Sequence, residues 1–152
     1  LNYPRVHRVK STFPELEVVI NGGFTDLDAA RSQLDTVDGV MLGREAYQNP
    51  FLLAQVDELF YGLPPKRITR GSALRNYLPY VEAELSAGTP LQHITRHLLG
   101  LFKGEAGGKQ FRRHLSENAY KKGAGIETLL QALALTENHE RETTQTKDAA
   151  GV

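Results

Sequence analysis

The chain has 152 residues, enough for one ordinary domain or for a partial domain joined to a small one. Its 18 Lys and Arg residues balance its 18 Asp and Glu residues, so the overall charge does not indicate a nucleic-acid partner. The lack of cysteine excludes a disulfide framework, a thiolate metal site and a cysteine catalyst within these residues, and no apolar run approaches the ~20 residues of a membrane helix.

The first part of the chain alternates between helical and strand patterns. Apolar residues at helical spacing over residues 6–13 are followed by a β-branched run over residues 17–20. Asp26 predicts the N-cap of the next helix, residues 38–42 form a second strand pattern, and Pro50 favours the first turn of a third helix. This order of elements predicts consecutive units of a parallel α/β fold over residues 1–61.

The second part of the chain predicts helices only. Residues 62–70 contain prolines and basic residues without a period, which is typical of a linker. Helical stripes then predict a helical domain over residues 71–137, where Pro79 either kinks the first helix or marks its start. Thr89 is expected to cap a second helix that buries apolar residues as far as Phe102. Further helices are expected around Phe111 and Leu115, and over residues 126–135.

The last fifteen residues have a different composition. From residue 138 to residue 152 the chain is polar and almost free of large apolar side chains. Such a segment cannot bury enough apolar surface to offset the entropy of ordering it, so we predict a disordered tail over 138–152. The N-terminus has neither an initiator Met nor a signal peptide, which favours an interior start.

Two predicted strand ends carry residues suited to binding a phosphate group. Asn21, Gly22 and Gly23 follow the first strand, and Gly43 and Arg44 follow the second. Glycines let backbone N–H groups approach phosphate oxygens, a following helix N-terminus adds positive partial charge, and arginine offers a planar charged fork. Because the ends of parallel strands meet at one edge, this pattern predicts a phosphate site like those after the last strands of a TIM barrel.

The same residues allow a simpler interpretation. The glycines could serve only tight turns, and Arg44 could pair with the neighbouring carboxylate of Glu45. Two strands also cannot close a barrel that normally needs ~250 residues. On the phosphate interpretation, most of the barrel would precede Leu1.

A predicted helix around Phe111 carries a cluster of basic residues. Lys109, Arg112 and Arg113 lie at i, i+3 and i+4, so they would share one face, which is typical of contacts with a phosphate backbone. An ordinary solvated face explains the same pattern. His93 and His97 also lie four residues apart, but no carboxylate falls within their turn, so no metal site is predicted.

Four stretches of the sequence carry a resemblance to a known family: INGG over 20–23, VDGVMLGREAYQNP over 37–50, HITRHLLGLF over 93–102 and FRRHLSEN over 111–118. They resemble the bacterial tRNA-dihydrouridine synthases, and the helical ones resemble the A subfamily (DusA) in particular. The resemblance runs from about Tyr3 to about Leu135.

The resemblance implies a fold and a reaction. The fold would be the C-terminal β/α units of a TIM (β/α)8 barrel, with FMN at its mouth, followed by a helical-bundle domain that binds tRNA. NADPH would reduce the flavin, hydride would pass to uridine 20 or 20a of the tRNA D-loop, and a cysteine would give the proton. That cysteine would lie in the N-terminal part, so this chain alone is expected to be inactive.

The resemblance also implies roles for individual residues. Asn21, Gly22, Gly23, Gly43 and Arg44 would contact the FMN phosphate. The positions of Lys109 and Arg112 would contact tRNA, although lysine at the first position lacks the fork that the family's usual arginine provides. The full-length protein is expected to be cytoplasmic and monomeric. Two alternatives remain, a phosphate-binding barrel enzyme acting on a small molecule and a helical RNA-binding module with no activity of its own.

Overall fold

The computed structural model describes the backbone of residues 1–149 and the side chains of residues 1–137. The chain forms two compact units, Leu1–Lys66 and Arg67–Val152. The boundary between them falls inside the stretch 62–70 that the sequence predicts to be a linker. Each unit has its own elements and its own set of buried side chains.

The first unit contains a parallel pair of short strands among helices, as predicted for a β/α unit. Strand β1 pairs with strand β2 in parallel, and Ile20 lies opposite Val40. The elements in chain order are α1 (Tyr3–Thr12), β1 (Val19–Asn21), α2 (Leu27–Gln33), β2 (Gly39–Met41), α3 (Arg44–Gln48), a 3₁₀ helix (Pro50–Gln55) and α4 (Val56–Tyr61).

Local interactions explain where the first helices begin. The side chain of Asn2 accepts a hydrogen bond from the Arg5 N–H at 3.1 Å and so caps α1. Asp26 caps α2 as predicted, because its carboxylate accepts from the Ala29 N–H at 2.7 Å. The small core of the unit consists of Ile20, Phe24 and Val37, with Tyr3 and other half-buried apolar residues packed against it.

Two details after β2 differ from the sequence prediction. Helix α3 begins directly at Arg44, where the sequence predicted only a glycine turn. Pro50 begins a helix as expected, but the helix is of the 3₁₀ type until α4 starts at Val56. A proline fits the first turn of an α-helix or of a 3₁₀ helix, because a backbone N–H at that position would have no partner within the helix.

In the part that the structure describes, the second unit is built from helices, as predicted. They are α5 (Arg70–Ser86), α6 (Leu91–Thr95), α7 (Gly108–Asn118) and α8 (Ile126–Ala149). A reciprocal capping box fixes the start of α5, since Thr69 and Ser72 each accept a hydrogen bond from the other's backbone N–H. Pro79 therefore lies inside this helix and does not mark its start.

Helix α6 is shorter than predicted. It ends at Thr95, and the chain continues to Lys103 through turns in which one N–H bonds the carbonyl three residues earlier, as from Leu101 to Leu98. Leu101 and Phe102 are buried as expected, but they lie in these turns and not in the helix. The predicted cap is also wrong, because the Thr89 hydroxyl donates to the Glu84 carboxylate at 2.8 Å and Pro90 takes the N-cap position.

The core of the second unit forms where α7 meets α8 and the turns before α7. Phe111 is fully buried, and its ring lies 4.7 Å from that of Phe102, measured between centroids. Leu115 of α7 and Leu129 of α8 are buried to the same degree. The ion pairs Arg70–Glu105 at 2.7 Å and Arg75–Glu137 at 2.5 Å lie within the unit.

Helix α8 extends through Ala149, into the stretch 138–152 for which the sequence predicts disorder. The side chains beyond residue 137 and the whole of residues 150–152 lie outside the described part of the chain. The disordered tail therefore stays a prediction. Within the residues that are described, no helix is both long enough and apolar enough to cross a membrane.

Candidate functional site

The predicted phosphate-site residues lie at one edge of the strand pair. Asn21 is the last residue of β1, and Gly43 and Arg44 follow the end of β2. Because the strands are parallel and paired Asn21 to Met41, their carboxyl ends meet at the same edge. The geometry predicted from the spacing of the two motifs is therefore present.

These residues line a common cleft of about 700 Å³ within the first unit. The cleft brings together all five predicted residues, Asn21, Gly22, Gly23, Gly43 and Arg44. Gly23 has a φ of 67°, a left-handed conformation that L side chains rarely adopt. A Cβ on Gly43 would meet no atom within 4 Å, so the backbone there is openly accessible.

Arg44 does not take the simpler role that the sequence allowed. Among the residues that the structure describes, its guanidinium has no ion-pair partner, and Glu45 is not paired with it. Arg44 is exposed, so its charge is available to an anion in the cleft. Glu45 also lines the cleft and adds one opposing carboxylate.

The expected help from helix N-termini is small in this structure. Helix α2 has 7 residues and helix α3 has 5. A helix macrodipole sums over aligned peptide units, so such short helices contribute little. Backbone N–H groups and Arg44 are therefore the principal groups able to bind an anion here.

The cleft also contains residues that the sequence interpretation did not identify. They are Leu1, Phe24, Thr25 and Glu45. Thr25 lies two residues after Gly23, and its hydroxyl can donate a hydrogen bond. Extending the glycine motif by two residues would have included it.

The basic residues of the second unit are exposed on α7, as predicted. Lys109, Arg112 and Arg113 are exposed, while Phe111 and Leu115 on another face are buried. The helix thus separates a charged face from an apolar face. Neither Lys109 nor Arg112 has an ion-pair partner in the described part of the chain.

Arg113 differs from the other two. Its Nε donates to the Glu117 carboxylate at 2.8 Å, one turn along the helix. This hydrogen bond and the charge of Glu117 raise the pKa of Arg113 above its ordinary value. Because the pair is exposed, solvent screens it, but Glu117 still offsets part of the positive field at that position.

The histidine pair does not form the shared helical face that its spacing suggested. Helix α6 ends at Thr95, so His93 lies in the helix and His97 in the turns that follow. Arg96 Nε donates to His97 Nε2 at 3.1 Å. Over the described residues, no group of three His, Cys, Asp or Glu side chains could hold a metal ion.

Comparison with known proteins places these features in a family. The family model described as dihydrouridine synthase (Dus) matches residues 1–139. The tRNA-dihydrouridine(20/20a) synthase of Vibrio cholerae is 52% identical over 134 residues, which cover 88% of this chain and 41% of that protein. The protein of the same name from Shewanella oneidensis is 50% identical over 129 residues, covering 85% of this chain and 38% of that protein.

A third relative gives the same result. The tRNA-dihydrouridine(20/20a) synthase of Escherichia coli K12 is 52% identical over 135 residues, which cover 89% of this chain and 39% of that protein. The chain spans about two fifths of the length of these curated relatives. Their names carry the positions 20 and 20a, which the resemblance to the A subfamily implies. With the family model covering most of its residues, the chain belongs to the dihydrouridine synthase family.

Proposed function

We propose that this chain supplies the FMN-phosphate end of a TIM barrel and a tRNA-binding unit to a tRNA-dihydrouridine synthase. The observation that supports the first part is the meeting of two glycine-containing loops and Arg44 in one cleft at the carboxyl edge of parallel strands. Loops after the last strands of TIM barrels commonly bind phosphate groups. β1 and β2 would be two of the eight strands.

The residues of the cleft fit the phosphate end of FMN. Among the described residues, the Gly23 N–H has no acceptor and the Arg44 guanidinium has no partner, and Gly43 exposes its backbone. These are the donors that a phosphate dianion requires. FMN, when bound, would carry the hydride that NADPH supplies. The chain's own residues would bind and orient the cofactor through its phosphate.

The second unit would bind tRNA through α7. Lys109 and Arg112, which have no ion-pair partner among the described side chains, lie beside each other on an exposed face, which favours contact with the RNA backbone. Arg113 would contribute less than its position on the helix suggests, because Glu117 opposes its charge. The unit's buried apolar face would hold the charged face in a fixed orientation.

The reaction proposed for the whole protein is the reduction of uridine at positions 20 and 20a of the tRNA D-loop, the positions in the names of the relatives. The chain contains no cysteine, so the proton donor implied by the family resemblance would come from sequence outside these residues. Mass mapping of tRNA from a strain lacking the gene tests this activity. We expect dihydrouridine to disappear at 20 and 20a and to stay elsewhere; an unchanged D-loop, with no second gene covering the loss, would contradict it.

The cofactor part is tested by Arg44→Ala in the full-length protein that carries this chain. We expect weaker FMN binding, because a charged donor to the phosphate is lost, with an effect of about 2 kcal/mol. Arg31→Ala is the matched control, since Arg31 is exposed on α2 and does not line the cleft. Equal FMN affinity for the two variants would show that the phosphate is held elsewhere.

The RNA part is tested by the salt dependence of tRNA binding. Replacing Lys109 and Arg112 with Ala should weaken binding and reduce the slope of log affinity against log salt by roughly one per lost contact. Arg113→Ala serves as the internal comparison and should change the slope less, because Glu117 already opposes its charge. A slope unaffected by the double substitution rules out α7 as the tRNA contact.

The alternative of an RNA-binding module without activity is favoured by one observation, the compact second unit with its own buried core. It predicts tRNA binding without a flavin. An absorption spectrum of the native full-length protein separates the two functions, since bound FMN gives a visible band that the module would lack.

A further inference from the structure

Tyr3, at the start of α1, contacts the glycine loop from both sides of Gly23. Its hydroxyl donates a hydrogen bond to the carbonyl oxygen of Gly22. Its ring stacks on Phe24, with centroids 5.4 Å apart and planes inclined by 9°. Phe24 is buried in the core of the unit, so the tyrosine connects the loop to that core.

The hydrogen bond fixes the orientation of the peptide between Gly22 and Gly23. The described backbone has no cis peptide bond, so this unit is trans, and its C=O and N–H point in opposite directions. With the Gly22 carbonyl directed to Tyr3, the Gly23 N–H is directed away from Tyr3. Gly23 lines the cleft, and Tyr3 does not.

Steric contact also links Tyr3 to the loop. A Cβ on Gly22 would lie 2.6 Å from Cε1 of Tyr3, so the tyrosine ring occupies the space that any side chain at position 22 would need. A side chain at position 22 would therefore collide with Tyr3, whereas a side chain at position 23 is disfavoured by the φ of 67°. Without the ring, the loop would lose its packing partner on this side.

Helix α1, which carries Tyr3, is itself fixed to the rest of the unit. His7 Nε2 lies 2.9 Å from the side-chain oxygen of Gln33 on α2. Lys10 Nζ lies 2.8 Å from the carboxylate of Asp38, just before β2. Contacts at three successive turns of α1 thus hold the helix in place, and the tyrosine hydroxyl has a defined position relative to both strands.

We infer that Tyr3 is a positioning residue for phosphate binding: its hydroxyl orients the Gly22–Gly23 peptide so that the Gly23 N–H faces the cleft. This rests on the proposed function, in which the cleft binds the FMN phosphate. Tyr3 does not touch the cofactor itself. It removes the alternative peptide orientation, in which the Gly22 carbonyl oxygen would face an anionic phosphate and repel it.

The test compares FMN with riboflavin, which lacks the phosphate, in the full-length protein that carries this chain. Tyr3→Phe removes the hydroxyl but keeps the stacked ring, and we expect the ratio of FMN to riboflavin affinity to fall about five- to tenfold, the effect of one lost hydrogen bond of ordinary strength. Riboflavin affinity should stay unchanged. Tyr80→Phe, an exposed tyrosine of the second unit, is the matched control and should leave the ratio unaltered.

Arg44→Ala, measured in the same way, separates the inference from the function on which it rests. A lower ratio for both Arg44→Ala and Tyr3→Phe supports the positioning role. A lower ratio for Arg44→Ala alone overturns it, as does an equal loss of FMN and riboflavin affinity in Tyr3→Phe, which would indicate a general structural role. An unchanged ratio in both variants means that the cleft does not bind the phosphate, and the inference fails together with the proposed function.

A second measurement tests the steric part of the role. Gly22→Ala should lower the FMN to riboflavin ratio in the presence of Tyr3, because the new methyl group collides with the ring. In a Tyr3→Ala background the same substitution should lower the ratio less, since the space is free. Equal effects in the two backgrounds would contradict a coupling between Tyr3 and Gly22.

Discussion

The two units of the chain differ in how completely each covers its own apolar side chains. In the second unit, Phe111 and Leu115 of α7 and Leu129 and Leu133 of α8 are buried, and Leu130 of α8 is exposed. In the first unit, by contrast, the strand residues Val19 and Met41 are about half exposed. Within the part of the chain that the structure describes, each strand of the parallel pair also has only one neighbouring strand.

The strand pair of the first unit needs further elements to cover its apolar faces. Parallel sheets are normally covered on both faces and are built from more than two strands, so an isolated parallel pair leaves apolar faces and unpaired backbone groups. The first unit has this character, and the proposed barrel would supply the missing strands. Helices can bury their apolar stripes against each other without further elements, and the second unit does so.

The largest effect is expected at the largest fully buried side chain of the second unit. Phe111→Ala in a fragment of residues 67–152 should lower the free energy of unfolding by about 3–5 kcal/mol. The ring is fully buried against Phe102, so its removal leaves a cavity. Urea unfolding followed by circular dichroism measures this. Arg112→Ala, one position along on the exposed face, is the control and should stay within about 0.5 kcal/mol. A small loss for Phe111→Ala would show that this unit does not close its own core.

The close approach between α7 and the preceding turn gives the next effect. A Cβ on Gly108 would collide with the carbonyl oxygen of Phe102, which is part of the backbone and cannot move aside without displacing the chain. Gly108→Ala should therefore destabilise the unit by roughly 1–3 kcal/mol or more.

Gly125→Ala is the matched control for Gly108→Ala. A Cβ on Gly125 meets nothing within 4 Å, and its φ is not in the left-handed region. Alanine lowers the entropy of the unfolded chain, which stabilises the fold, but it is a poorer residue than glycine before a helix start, which destabilises it. These two small effects should leave the stability within about 0.5 kcal/mol of the original. Equal stabilities for the two variants would mean that α7 is not packed tightly against Phe102.

The sequence predicted the elements of both units better than their ends. The glycine loops could be located because Asn21–Gly23 and Gly43–Arg44 are short local motifs at the ends of β-branched runs. The parallel pairing followed from the order of elements. The extent of α6 could not be predicted, because Leu98, Leu101 and Phe102 keep a helical spacing although turns carry them.

Roles that depend on distant contacts were also beyond the sequence. Tyr3 lies 19 residues from Gly22, and nothing local to either residue indicates their contact. The contact of Thr89 was equally unpredictable, since its hydroxyl could have capped a helix but donates to the Glu84 carboxylate instead. The charge of Glu117 beside Arg113 was visible at i+4, and that spacing could have separated Arg113 from Lys109 and Arg112.

The smallest expected effect lies in the first unit, at the end of the strands opposite the cleft. Asp38 accepts hydrogen bonds from Lys10 Nζ and from the Val18 N–H, both at 2.8 Å, and these lower the pKa of its carboxyl below the ordinary value of 3.8. Folding therefore favours the charged form of Asp38. Its stabilising contribution is present at neutral pH and is lost as the pH falls through the lowered pKa.

We expect Asp38→Asn to lower the thermal unfolding temperature of the full-length protein modestly at pH 7, and the difference from the unsubstituted protein to shrink as the pH falls below about 4. The effect is small because the Asp38 carboxyl is solvent-exposed and its ion pair is screened. Asp35→Asn, an exposed aspartate outside this cluster, controls for the lost charge. If the difference in unfolding temperature persists unchanged at acid pH, Asp38 acts through its hydrogen-bonding oxygen and not through its charge. The first unit would then depend less on the Lys10–Asp38 ion pair than the geometry of that pair indicates.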